Sequence, residues 1–299
     1  MAEPEPAIVE TGGTDTDGKV YGSLDDMWRS EIGNGDARTE WYKKGVSYWD
    51  TVPATVDGVL GGYGSVTRMD TMESEAFLKE AMPVVREKDP NAGLVSCDCG
   101  AGVGRVTKEL LINWFNECDI VEPVNHFVDE AIQSLGNDGA VEDFVTKDGK
   151  RPALRADGHR AVRFIREGLE GFEPEEGRYD AVWCQWVLGH LPDDDLVRFF
   201  MRVARGLKPW GMFLIKENNC RPESGFIVDK EDHAITRSDS HFRAVFAKAG
   251  LKIVLTKQQR NFPQELFKVR MYALVPEERL REKEATGRGA GAKAGAKEA

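Results

Sequence analysis

The chain has 299 residues, with 41% hydrophobic and 30% charged side chains, enough for one large α/β domain with appendages. No stretch approaches the roughly 18–20 consecutive apolar residues of a membrane span, and the acidic N-terminus lacks the basic flank and apolar run of a signal peptide. A net charge of −11, from 51 acidic and 40 basic side chains, argues against coating a nucleic-acid backbone and suits a cationic substrate.

In residues 1–40 acidic side chains outnumber Lys19, Arg29 and Arg38, and apolar ones are sparse, so a mostly disordered acidic extension is expected. Residues 41–280 carry the patterned domain, with a polar insertion at about 137–160. Residues 281–299, built from Gly, Ala, Lys and Glu, read as a flexible tail. Cys97, Cys99, Cys118, Cys184 and Cys220 show no metal-type spacing and read as reduced, structural thiols of a cytoplasmic or nuclear protein.

Within the domain, strand and helix patterns alternate. Leu94–Asp98 is a short apolar strand, followed by helical spacing over Val106–Phe115. A strand over Asp119–Pro123, a helix over Asn125–Leu135 and a short strand over Arg163–Leu169 come next. The apolar run Tyr179–Trp186 precedes an amphipathic helix over Asp194–Leu207, which Lys208-Pro209 stops. Gly211–Lys216 is a strand, His241–Gly250 a helix, and Leu251–Thr256 with Leu266–Val275 a last pair of strands. Repeated βα units predict an α/β, Rossmann-like fold: a mostly parallel seven-stranded sheet with helices on both faces and an antiparallel last strand.

The loop Asp98-Cys-Gly-Ala-Gly-Val-Gly-Arg lies between the first core strand and its helix, where Gly100, Gly102 and Gly104 permit tight turns and close ligand approach. Two features point away from dinucleotides. The glycines follow G-x-G-x-G, and the acidic Asp98 stands directly before them, hostile to pyrophosphate but tolerant of the ammonium of a methionine moiety. The spacing from Gly100 to Glu122 is close to the roughly 20 residues expected for a ribose-binding carboxylate.

The strings Tyr179-Asp-Ala-Val-Trp, Leu188-Gly-His-Leu and Leu207-Lys-Pro-Trp-Gly-Met-Phe-Leu-Ile resemble the fourth and fifth strands of class I S-adenosylmethionine methyltransferases. A narrower resemblance lies ahead of the first core strand, in Tyr42-Lys-Lys-Gly-Val-Ser-Tyr-Trp and Pro53-Ala-Thr-Val-Asp-Gly-Val-Leu-Gly-Gly-Tyr-Gly. Together with Gln185-Trp-Val-Leu-Gly-His-Leu, Ile215-Lys-Glu-Asn and Gly225-Phe-Ile-Val-Asp-Lys-Glu-Asp, these segments are similar to the eukaryotic α-N-terminal protein methyltransferases, which act on X-Pro-Lys or X-Pro-Arg termini.

The resemblance implies S-adenosyl-L-methionine as cofactor and protein N-terminal peptides as partners, without nucleic acid or membrane. It implies cofactor contacts from Gly100, Gly102, Arg105, Glu122, Leu169, Glu170 and Gln185. It assigns Asn218 to the substrate amine, with Asp232 and His190 as candidate proton acceptors. Residues 41–64 would form a substrate-binding segment: Tyr48, Leu60 and Gly61, with Trp186, would shape the proline slot, and Asp229 would receive the cationic third residue. Glu122, Glu170 and Glu217 depart from the Asp, Gln and Asp expected there, and Ala234 replaces a hydroxyl residue beside the third substrate position. Two rival readings are a small-molecule methyltransferase on the same fold and a non-catalytic binding protein.

Overall fold

The computed structural model describes residues 12–86, 93–135 and 158–280. The N-terminal part is a short pair of strands, β1 (Gly13–Asp15) and β2 (Val20–Tyr21), then helices α1 (Leu24–Ile32), α2 (Ala37–Thr51) and α3 (Val56–Val59). Two side chains set helix starts here: the Ser23 hydroxyl accepts from Asp26 N at the head of α1, and the Thr55 hydroxyl accepts from Gly58 N at the head of α3. Helices α4 (Thr67–Ala81) and α5 (Pro83–Arg86) then lead into the core.

The core alternates strand and helix: β3 (Val95–Cys99), α6 (Arg105–Glu109), β4 (Glu117–Val121), α7 (Asn125–Leu135), β5 (Arg160–Ile165), β6 (Tyr179–Gln185), α8 (Asp193–Ala204) and β7 (Leu207–Asn219). A hairpin of β8 (Phe226–Asp229) and β9 (Ala234–Arg237) follows, then α9 (Asp239–Lys248), β10 (Leu251–Gln258) and β11 (Lys268–Pro276). The seven-stranded sheet has the order β10-β11-β7-β6-β3-β4-β5, and β11 runs antiparallel to both neighbours, as the sequence predicts.

Alternation along these strands fills both faces. Cys99, Val182, Phe213 and Ile215 pack with Phe199, Phe200 and Phe246 on one side, whereas Ile120, Trp183 and Leu214 pack with Phe77, Leu78 and Phe115 on the other. All the cysteines are buried and free.

Two expectations are corrected. The third core strand occupies Arg160–Ile165, not Arg163–Leu169, so it takes up the end of the expected insertion and leaves Leu169 in the loop beyond the sheet. Residues 137–157 of the insertion and the tail 281–299 lie outside the described residues, as do residues 1–11 and 87–92.

The larger correction concerns residues 1–40. Residues 13–32 fold against the domain: β1 and β2 extend the hairpin into a small sheet of order β2-β1-β8-β9. Tyr21, Met27 and Ile32 are buried there with Trp41, Phe226, Val228 and Ile235. The acidic side chains that argued for disorder are partly consumed by local bonds, as Asp15 accepts from the backbone N–H groups of Asp17 and Lys19 and from the Tyr21 hydroxyl. Met27→Ala, at a fully buried position, is expected to cost about 2–5 kcal/mol in a denaturant titration; a loss within measurement error would show that this segment contributes nothing to the fold.

Candidate active site

At the carboxyl end of β3 the chain turns through Gly100, Gly102 and Gly104 with φ of 72°, 55° and 76°, a region costly for residues with a Cβ. A Cβ at Gly100 would meet Val187 Cγ2 at 2.3 Å, and one at Gly104 would meet Leu135 Cδ1 at 2.6 Å. Asp98 lies beneath the loop, where it accepts the Thr107 hydroxyl at 2.7 Å and burial pushes its carboxyl up to about 6. Glu122, at the end of β4, accepts Gly102 N at 2.9 Å and Val124 N at 3.0 Å; burial outweighs both bonds and pushes it up to about 7.

Gly100, Gly102 and Glu122 face a cavity of about 140 Å³, whereas Asp98 is turned away from it toward Thr107. All the residues expected at the cofactor, Gly100, Gly102, Arg105, Glu122, Leu169, Glu170 and Gln185, line it. Leu169 is held there by its carbonyl, which accepts from Arg202 at 2.6 Å. The donor set suits S-adenosylmethionine. It offers a carboxylate for ribose hydroxyls, glycine backbone for close approach, and the buried, unpartnered Trp186 Nε1–H as a hydrogen-bond donor.

The floor below Arg105 and Gln185 rests on Asp70, a residue of α4 that nothing in the sequence marks. Asp70 is 2% exposed, pairs with Arg105 at 2.7 Å and Lys216 at 2.5 Å, and accepts Gln185 Nε2 at 3.0 Å on both oxygens. Burial alone would raise its pKa, but the two cations hold it below the usual carboxylate range. Lys216 ends the apolar run Met212–Ile215, the single sequence hint of a buried charge; its ammonium also donates to Ser74 Oγ at 2.8 Å and the Asp70 carbonyl at 3.0 Å.

A second cavity, about 310 Å³, adjoins the first, and Trp49, Leu60, Trp186 and His190 line both. Gly61, Asn218, Asp229 and Asp232 line the second alone, with Glu217 and Ala234 beside them. Tyr48 lines neither; its ring packs edge-on against Trp49 at 5.2 Å, and burial with the nearby acidic residues Glu231, Asp232 and Asp229 raises its pKa. Trp186 has φ 55°, a left-handed conformation rare for a bulky residue, and Arg105 lies 5.5 Å from its ring centre.

The two candidate proton acceptors differ sharply. Trp49 Nε1–H, which can only donate, donates to His190 Nε2 at 3.1 Å, so that nitrogen is an acceptor and the ring proton sits on Nδ1, 3.4 Å from the His233 carbonyl. Burial lowers the His190 pKa, so the ring is neutral with its lone pair engaged. Asp232, by contrast, has a buried Oδ1 without a partner, and burial followed by the neighbouring Asp229 charge pushes it up to about 7. Sequence reasoning also missed Phe262, on the β10–β11 connection, which lines the second cavity 6.4 Å from Trp186; nothing near it in the chain announces that contact.

A sequence model of the AdoMet-dependent proline di-methyltransferase family matches residues 37–275. The chain is 47% identical over 267 residues to alpha N-terminal protein methyltransferase 1 of Arabidopsis thaliana, covering 88% of this chain and 90% of that protein. It is 37% identical over 236 residues to N-terminal Xaa-Pro-Lys N-methyltransferase 1-B of Xenopus laevis, covering 79% and 96%. A solved SAM-dependent methyltransferase from Leishmania major superposes with a TM-score of 0.76 at 35% identity, over 92% of this chain and 100% of that one.

Asp70→Asn tests the floor. Leaving Arg105 and Lys216 without their counter-charge is expected to cost about 3–5 kcal/mol of stability. Loosening Arg105 and Gln185 is expected to weaken S-adenosylmethionine by roughly 10-fold or more in calorimetry, and unchanged affinity would remove Asp70 from the site.

Proposed function

Because the chain belongs to the AdoMet-dependent proline di-methyltransferase family, we infer that its substrates are protein N-termini beginning X-Pro-Lys or X-Pro-Arg. The protein is an S-adenosylmethionine-dependent N-terminal protein methyltransferase. The observation that carries the substrate reading is the second cavity, whose acidic wall of Glu217, Asp229 and Asp232 opens past Trp186 and His190 toward the glycine loop.

An N-terminal amine has an ordinary pKa of about 7.7–8.0, against about 10.4 for a lysine side chain, so one carboxylate of raised pKa suffices to keep it unprotonated. Asp232 is that acceptor in our reading, since its free, buried oxygen faces the cavity. Asn218, on the same wall, orients the amine through its side-chain amide. His190 acts as a positioning residue: its neutral ring fixes the Trp49 indole, while its carbonyl accepts Trp41 Nε1–H at 2.8 Å. Trp186, Leu60 and Gly61 form the slot for a proline ring, which enters with little ordering cost because it is already rigid. Asp229 receives the cationic third residue. When bound, S-adenosylmethionine supplies a methyl group on a sulfonium centre, and the enzyme's task is alignment of the amine with it.

Incubation with S-adenosylmethionine and a Ser-Pro-Lys-initiated peptide is expected to give methyl mass increments that N-terminal acetylation abolishes. A Ser-Gln-Lys-initiated peptide is expected to stay unmodified, and methylation of neither, with cofactor bound, would sink the substrate reading.

The raised pKa of Asp232 gives a second test. The acceptor form is absent below the raised pKa and present above it, so kcat/KM is expected to rise as pH passes about 7. Asp232→Asn is expected to lower kcat about 10²–10⁴-fold; a rate within a few-fold of wild type would exclude Asp232 as the base.

A further inference from the structure

The family match begins at residue 37, so β1, β2 and α1 lie outside it. Yet these elements are bonded to the part of the molecule that carries Asp229 and Asp232. Strand β1 pairs in parallel with β8, through Thr14 opposite Ile227 and Asp15 opposite Val228. Thr16 then reaches across twice: its N–H donates to the Val228 carbonyl at 2.9 Å, and its hydroxyl accepts Lys230 N–H at 3.0 Å. From α1, Glu31 accepts the Lys230 ammonium at 2.5 Å and the Tyr21 hydroxyl at 2.9 Å. An aromatic series, Trp28 on Trp41 and Trp41 on His233, each with ring centres 5.4 Å apart, closes the far side of the turn.

The turn held in this way is under local strain. His233 has φ 55°, a conformation that persists only when neighbours impose it. The bonds from Thr16 and Glu31 meet at Lys230, within the segment that runs from Asp229 to Asp232. Hydrogen bonds made by a stiff neighbour to such a loop remove conformers that would otherwise have to be lost on ligand binding.

We propose that residues 13–32, which precede the matched family model, are a brace for the β8–β9 hairpin and set the affinity for the peptide N-terminus. The inference rests on the reading of Asp229 and Asp232 as substrate-facing. Glu31, Thr16 and Tyr21 are positioning residues: they touch neither cavity, and they act through Lys230 and Asp15.

The full chain tests this with Glu31→Lys, Lys230→Glu and the two combined. Each single variant is expected to raise peptide KM by roughly 3- to 10-fold and to speed amide hydrogen exchange over residues 226–237, with cofactor affinity as in wild type. The charge-swapped pair is expected to restore both readouts, which a general loss of stability would not allow. Wild-type KM and exchange in the single variants overturn the brace, as does a joint loss of peptide and cofactor affinity that the pair fails to rescue. Should the unaltered enzyme methylate no peptide, the substrate assignment falls, while the exchange rates of 226–237 still decide whether the brace exists.

Discussion

The arrangement turns on one buried carboxylate with two cations. Asp70 joins α4, the helix after the glycine loop through Arg105, and the adjacent strands β6 and β7 through Gln185 and Lys216. In a dry interior an ion pair is costly unless its members are hydrogen-bonded, and here Asp70 accepts from three side chains while the Lys216 ammonium also donates to Ser74 and the Asp70 carbonyl. The set of one anion and two cations leaves a positive charge uncompensated beside the first cavity, which suits a ligand bearing a carboxylate. Because α4 directly follows the segment that holds Leu60 and Gly61, the same carboxylate also ties the substrate slot to the cofactor floor.

Elsewhere the molecule sorts its acidic side chains by what surrounds them. Asp193 has Arg237 and His241 against it, and these hold it well below the ordinary range despite burial. Asp98, Glu122, Glu217 and Asp232 are buried with hydroxyl or backbone partners or none, and burial raises all of them. The first kind is structural; three of the second kind line the two cavities. Desolvation without a close cation thus accompanies the cavity-lining carboxylates Glu122, Glu217 and Asp232.

What could be read in advance was whatever is local. The glycine loop, the acidic strand end at Glu122 and the alternation of β and α signals depend on near neighbours in the chain, and the structure has them where expected, with shifts of a few residues at strand ends. The helix expected over Val106–Phe115 instead stops at Glu109 and gives way to a 3-10 turn over Leu111–Asn113. Asp70 gave no warning, because its partners are 35 and 146 residues away and a lone aspartate in a weakly amphipathic helix looks solvated. The N-terminal segment was misread for a related reason. Composition weighs it as acidic, whereas Leu24, Met27, Trp28 and Ile32 already follow helical spacing and find their cover in β8 and β9, about two hundred residues later. His190 was legible as a cavity residue but its hydrogen bonding was not, since a bond from Trp49 decides which of its nitrogens holds the proton.

The placement of the cysteines makes the protein its own probe of integrity. Every thiol is buried, Cys97, Cys99 and Cys184 sit together in the sheet, and burial lifts the Cys118 and Cys220 thiols as well, the latter to about 11. A thiolate is the form that alkylating reagents and oxidants attack, so the folded enzyme presents almost none. Covalent labelling of these sulfurs therefore counts opening events: reaction at Cys97, Cys99, Cys118 or Cys184 belongs to a molecule whose sheet has come apart, and reaction at Cys220 to one whose loop after β7 has opened. The methyl-transfer site, which contains no sulfur of its own among its lining residues, stays insulated from the redox state around it.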